Sequence, residues 1–206
     1  MHIELTEMLR CPEPHRDALL VLATSEMNGR MVWRGVIGCP VCDRQYEIID
    51  GIVDFTEVAG VEPGQRTVRR TPAPPSPASP DAQTLQALLD LSGPGGFVVL
   101  VGSAARNAVG LAALMGGVHF VGINAPEDVG ELPVLSLLQT DHVIPLRGVM
   151  ARGVVVGAEV ATEAWMAEAS RILLRGRRLV VESERARPAG MTQLAVADGL
   201  WVGEKR

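Results

Sequence analysis

Residues 95–124 read GGFVVLVGSAARNAVGLAALMGGVHFVGIN, and this stretch sets the architecture of the larger part of the chain. FVVLV is a short apolar run opened by a glycine pair, the pattern of a buried strand. AARNAVGLAALM has helical spacing and stops at Gly116 and Gly117. VHFVGIN is a second strand. Strand, glycine turn, helix and strand in immediate succession make a βαβ unit, whose two strands run parallel.

The alternation extends in both directions. DAQTLQALLDL (81–91) has helical spacing, with Asp81 placed to cap it. Downstream, VIPL (143–146) and RGVVVGAEV (152–160) read as strands, ATEAWMAEASRILLRG (161–176) as an amphipathic helix and RRLVVES (177–183) as a strand. The last sixteen residues, MTQLAVADGLWVGEKR, alternate around Asp198-Gly199, a hairpin signal. The expected fold class is α/β: a Rossmann-like, mostly parallel sheet over 81–206 that ends in an antiparallel hairpin.

Upstream the composition changes abruptly. Residues 63–80 read PGQRTVRRTPAPPSPASP, with Pro72, Pro74, Pro75, Pro77 and Pro80 in the last ten. Proline fixes φ and removes amide donors, so 61–80 is expected to be a semi-extended spacer. A proline-rich motif read by a partner is the alternative. Residues 1–60 then form a separate, β-rich module.

That module contains all three cysteines of the chain. Cys39 and Cys42 in GCPVCDRQY have the spacing of a metal knuckle, and CPEPHRD offers Cys11 and His15. Zinc takes thiolate and imidazole ligands tetrahedrally, and two short loops supply four of them. Between the loops, ALLVLATSEMNG and RMVWRGVIG read as two strands joined at Asn28-Gly29. The expected site is Cys11, His15, Cys39 and Cys42 around one structural zinc, with iron as the alternative metal. His2, Glu13 and Asp17 are the other candidates for the fourth ligand. A buried Cys11 thiol beside a redox Cys-x-x-Cys competes with this reading, but such pairs open helices, and this one lies between strand-like segments.

LTEMLRCPEPHRDALLVL and GVIGCPVCDRQYEIIDGIVDF resemble the zinc-ribbon proteins that activate tRNA, ribosomal and release-factor methyltransferases. The shared features are Leu9-Arg10-Cys11-Pro12, the second knuckle, Tyr46 and Ile49-Asp50-Gly51-Ile52. The second cysteine of that family's first knuckle falls on Pro14, so His15 must substitute or one ligand is lost. The resemblance implies a ribbon that binds a protein partner, a methyltransferase among the candidates, and performs no chemistry itself.

The order of elements after residue 80 resembles the class I S-adenosylmethionine-dependent methyltransferase fold, but the residues depart from it. An acidic residue expected in the first strand is Leu100. Later loop glycines fall on Ala104 and Arg106, leaving Gly102. The ribose-binding carboxylate at the end of the second strand is Asn124, with Glu127 and Asp128 nearby. An acidic residue before the fourth strand is Arg152. S-adenosylmethionine is therefore not expected as a working cofactor; if it binds, Gly102, Ser103 and Asn124 are placed to hold it.

The chain carries a net charge of −5 and no run approaching the ~20 apolar residues of a membrane span. MHIELTEMLR lacks a signal-peptide pattern, and a cytoplasmic location is expected. Arg171, Arg175, Arg177, Arg178, Arg185 and Arg187 offer an RNA-contacting face, but Glu168, Glu182 and Glu184 interleave with them. His119, His142 and Trp165 read as packing residues. The expectation is a non-catalytic accessory or scaffold protein; an active methyltransferase with an atypical loop and an RNA-contacting module are the alternatives.

Overall fold

The computed structural model describes residues 1–56, 67–68, 70, 72, 79–130 and 132–206. The spacer expected at 61–80 lies mostly outside the described residues, as does the end of the N-terminal module.

Four strands open the chain: β1 (Val21–Asn28), β2 (Met31–Gly38), β3 (Gln45–Ile49) and β4 (Ile52–Asp54). They form an antiparallel meander. Its first hairpin turns on Gly29 and Arg30, one residue later than Asn28-Gly29 suggests, because Asn28 pairs with Met31. Helix α1 (Ala82–Leu89) follows, capped as expected: the Asp81 carboxylate accepts from the Thr84 N–H at 2.8 Å.

Next come β5 (Phe97–Val101), a 3₁₀ turn over Gly102–Asn107, α2 (Ala108–Leu114) and β6 (His119–Ile123). The rest comprises β7 (Leu135–Gln139), β8 (Ala151–Val156), α3 (Glu163–Ile172), β9 (Leu173–Val181), β10 (Met191–Ala197) and β11 (Leu200–Lys205). β7, β6, β5, β8 and β9 run parallel, and β11 lies antiparallel to β9 and β10. The chain is thus α/β, with the mostly parallel sheet and final antiparallel hairpin that the alternation implies.

The third parallel strand is Leu135–Gln139, not VIPL. Pro145 has no N–H to give a central ladder. Leu146 instead makes a single antiparallel bridge with Leu9. The helix expected over 161–176 yields to β9 at Leu173, and the β8–β9 register jumps from Ala151/Leu173 to Gly153/Arg178.

Period-two burial divides the core between the two faces of the sheet. Val98 and Leu100 face α1 and α2, whereas Val99 and Val101 face α3 and the N-terminal segment, and all four are fully buried.

Among the described residues, all eleven strands form one sheet, in the order β1-β2-β3-β4-β7-β6-β5-β8-β9-β11-β10. The meander joins the parallel strands through β4 and β7, which pair in parallel at Val53/Leu138 and Asp54/Gln139. The Phe55 N–H donates to the Gln139 carbonyl at 2.8 Å. A second seam runs alongside: Arg10 N–H donates to the Pro145 carbonyl (3.1 Å) and Arg147 N–H to the Met8 carbonyl (2.8 Å). Met1, Leu5, Leu9 and Val53 are fully buried in the core that also holds Val121, Ile123, Leu138 and Leu146. Each such side chain contributes about 1.5–3 kcal/mol, against about 1 kcal/mol per hydrogen bond. Apolar burial is therefore the larger force across the seam, and the hydrogen bonds set its register.

The two outermost strands, β1 and β10, are both irregular. β1 shifts register at Thr24/Glu26 and again at Glu26/Met27, and β10 shifts at Gln193/Ala195.

His119 packs as expected. It is hydrogen-bonded through Nε2 to Ser136 Oγ at 2.9 Å, and its ring lies 5.0 Å from that of His2. His142 does not pack; it is exposed in the loop after β7. Burial, then the neighbouring His2 and N-terminal amine, lower the His119 pKa to about 4. The fold favours the neutral ring, so its stabilising contribution is complete above about pH 6.5 and declines as pH falls toward 4. With partial exposure discounted, the loss is on the order of 2 kcal/mol. Denaturant melts of His119→Gln should show a shallower acid decline than wild type between pH 6.5 and 4. Parallel curves would show that His119 does not couple protonation to stability.

Candidate metal centre and cofactor crevice

One metal-ligating atom from each of Cys11, His15, Cys39 and Cys42 lies within 4.8 Å of the others. The local fold brings them together. The Asp43 N–H donates to the Cys39 carbonyl (3.0 Å) and the Cys39 N–H to the Arg44 carbonyl (2.9 Å), which curls the second loop under its sulfurs. Asp43 takes a left-handed φ of 56° to close that turn. Glu13 of the first loop pairs with Arg44 of the second at 3.3 Å.

The distances suit a tetrahedral ion. Cys11 and Cys42 sulfurs are 3.7 Å apart, and Cys39 Sγ lies 3.3 Å from His15 Nε2. Zinc–sulfur bonds of 2.3 Å require sulfur–sulfur edges of about 3.8 Å, with sulfur–nitrogen edges slightly shorter. His15 Nδ1 is hydrogen-bonded to the Arg16 carbonyl at 2.7 Å, which leaves Nε2 to face the cluster. Of the other fourth-ligand candidates, His2 packs on His119, Glu13 is engaged with Arg44 and Asp17 is exposed.

The thiols differ. Burial pushes Cys11 up to about 11. Burial also raises Cys39, but hydrogen bonds from the Val41 and Cys42 N–H groups and from the neighbouring thiols outweigh it and bring Cys39 down to about 7. The group therefore includes one sulfur that gives up its proton near neutrality.

The second site is the crevice at the carboxyl ends of β5, β6 and β8, where the chain reverses direction across the sheet and α/β proteins hold ligands. Gly102 makes the turn there with a φ of 65°. The buried Ser103 hydroxyl donates to Glu159 Oε2 at 2.7 Å, and its backbone N–H donates to Glu159 Oε1. Glu159 comes from the 3₁₀ turn Ala158–Val160 after β8. A Cβ on Gly102 or Gly157 would collide with its carboxylate, so both glycines make room for that side chain.

Asn124 is also engaged. Its Nδ2 donates to the Thr140 carbonyl (2.8 Å) and its Oδ1 accepts from the Thr140 N–H (2.9 Å), which locks the end of β6 to the end of β7. Arg106 binds both oxygens of Asp128, at 2.7 and 2.9 Å. Its guanidinium holds the Asp128 carboxyl below the usual range. Arg70 reaches in from the connecting segment and donates to the carbonyls of Ala125, Pro126 and Val129. Leu100 is fully buried in the core. Arg152 lies within β8 and clamps the carbonyls of Ser92, Gly93, Pro94 and Gly95.

Part of the arginine stretch is engaged too. Arg171 pairs with Glu168 and donates to the Ile144 and Leu146 carbonyls, Arg178 reaches Asp90, and Arg187 donates to the Glu184 and Ala186 carbonyls. The contacts that sequence reading missed are Glu159 and Arg70. Neither lies in a motif; each is defined by a partner distant in the chain.

No protein-family model matches the sequence. No curated protein matches it either. Among solved structures it is similar to a SAM-dependent methyltransferase from Aquifex aeolicus, at 14% identity and a TM-score of 0.46, over 61% of this chain and 89% of that one. It is similar to a geranyl diphosphate C-methyltransferase from Streptomyces coelicolor, at 16% identity and a TM-score of 0.42, over 48% and 41%. It is also similar to a chain in the complex of the Haloferax volcanii Trm112 methyltransferase activator with a methyltransferase, at 18% identity and a TM-score of 0.40, over 48% and 50%. The chain spans half or less of the length of the latter two. At such scores the function must be read from the residues themselves.

Proposed function

We propose that this chain is a non-catalytic accessory or scaffold protein. In it a zinc ribbon, with Cys11, His15, Cys39 and Cys42 as ligands, braces an α/β unit whose cofactor crevice has been given over to internal contacts. Zinc with four protein ligands supplies structure and no open coordination position. The observation that carries the reading is the capture of Ser103 by Glu159. The backbone donor and hydroxyl at the glycine turn, the groups a bound cofactor would use, already hold a carboxylate of the chain itself. Asn124, spent on Thr140, supports the same conclusion.

The N-terminal strands dock on this chain's own β7. A protein partner would then use other surfaces, such as β1, which ends the sheet among the described residues and exposes Val21 and Met27, with Leu19 just before it. A cytoplasmic location belongs to this proposal. None of the described helices is long and apolar enough to cross a membrane.

The competing reading, an active methyltransferase with an atypical loop, draws on one specific observation. The strand order β7-β6-β5-β8-β9-β11-β10 with β11 reversed resembles that of class I S-adenosylmethionine-dependent methyltransferases. Fold order alone does not fix function, and the occupied crevice weighs against it. An RNA-contacting role would rest on the exposed Arg175 and Arg185, and it requires steeply salt-dependent binding.

Calorimetric titration of S-adenosylmethionine and S-adenosylhomocysteine into the metal-loaded chain tests the choice. No heat and no thermal shift at millimolar ligand are expected; micromolar binding would overturn the non-catalytic reading.

A further inference from the structure

Tyr46 occupies an inward position on β3 and is 5% exposed. Its hydroxyl lies 3.1 Å from Cys11 Sγ, and its ring sits 4.7 Å from that of Phe55. Phe55 follows β4 directly, and its N–H is bonded to Gln139 of β7. On its other side Cys11 continues from Leu9 and Arg10, the residues that bond to Leu146 and Pro145. Two short paths therefore lead from one sulfur to the two seams that join the meander to the parallel strands.

We propose that Tyr46 is a positioning residue of the metal centre: its O–H donates to the Cys11 sulfur, and its contact with Phe55 ties metal occupancy to the β4–β7 seam. The inference rests on the metal reading above. A metal-bound thiolate buried as deeply as Cys11 retains lone pairs and excess charge in a low-dielectric setting. A fixed phenolic donor answers both needs. Hydrogen-bond partners of ligands typically change metal affinity by about 10–100-fold when removed. The phenol gains as well, since its hydroxyl would otherwise be buried without a partner.

Tyr46→Phe isolates the hydroxyl, because the ring and its packing on Phe55 remain. Zinc affinity, measured by chelator competition, should fall about 10–100-fold. In the cobalt-substituted protein the sulfur-to-metal charge-transfer bands should move to longer wavelength, since a thiolate without its donor gives up electron density more readily. A purely structural role for Tyr46 would leave those bands in place. In the wild-type chain, chelating the metal should speed hydrogen exchange at the amides of Arg10, Phe55 and Arg147 while β8 and β9 stay protected. Unchanged affinity and bands in a metal-loaded Tyr46→Phe protein would overturn the positioning role, and unchanged exchange at the seams would overturn the coupling. A wild-type chain that takes up no zinc or cobalt would defeat the metal reading itself, so the two failures are distinguishable.

Discussion

Cys39→Ser is expected to reduce bound zinc from about one ion per chain to nearly none and to unfold β1 through β4. In small zinc modules the metal contributes apparent free energies of about 10–16 kcal/mol, more than the meander's own core can replace. β1 buries almost nothing, and β4 is three residues long. The damage should not stop at the meander, because Val53 and Phe55 belong to the core shared with the parallel strands. Metal analysis and residue-resolved hydrogen exchange check this. Protection should vanish over β1–β4, weaken at β7 and persist in β5 and β8. Full metal content with unchanged melting would remove Cys39 from the ligand set.

Deleting residues 1–56 is expected to cost the remaining chain its cooperative fold or its solubility. The seam buries Leu138 against Val53 and Leu146 beside Leu9, with Met1 and Leu5 in the same core. Exposing apolar contacts worth about 1.5–3 kcal/mol per side chain consumes much of a typical stability of 5–15 kcal/mol. It also bares the edge of β7, a strand of five residues with four buried. A fragment of residues 57–206, which keeps Arg70 on the Ala125, Pro126 and Val129 carbonyls, should melt without a sharp transition or aggregate, and adding zinc-loaded residues 1–56 should restore a cooperative melt. A fragment that melts like the intact chain would show that the two parts are independent domains.

Much of this architecture was legible locally. The two strands of the unit at 95–124, the Asp81 cap and the Asp198-Gly199 turn each depend on neighbours in the sequence, and each formed where expected, whereas the helix expected over 104–115 opens as a 3₁₀ turn and is α only over Ala108–Leu114. The clustering of Cys11, His15, Cys39 and Cys42 followed from loop spacing. What was hidden depends on distant partners. Leu135–Gln139 contains Ser136, which breaks an apolar run; its burial makes sense only once His119 and the His2 N–H provide bonds to its hydroxyl. The β4–β7 pairing rests on two residue pairs far apart in sequence. Asn124 follows β6 with a φ of 50° and is bonded twice to Thr140, a partner that its neighbours in the sequence do not reveal. Glu159 gave no signal in GAEV, since its bonds to Ser103 span 56 residues of chain and arise only in the fold.

The irregular registers of β1 and β10 have a consequence for assembly. Among the described residues, β1 and β10 are the two ends of the eleven-stranded sheet, where a neighbouring molecule could add a strand. The extra residue in each edge strand, Ser25 in β1 and Leu194 in β10, displaces backbone donors from the even spacing an incoming strand needs and increases the local twist. A chain that joins two sets of strands edge to edge within itself thereby makes the same backbone pairing harder to repeat between molecules, and a partner at β1 has the exposed side chains of Val21 and Met27 to hold instead.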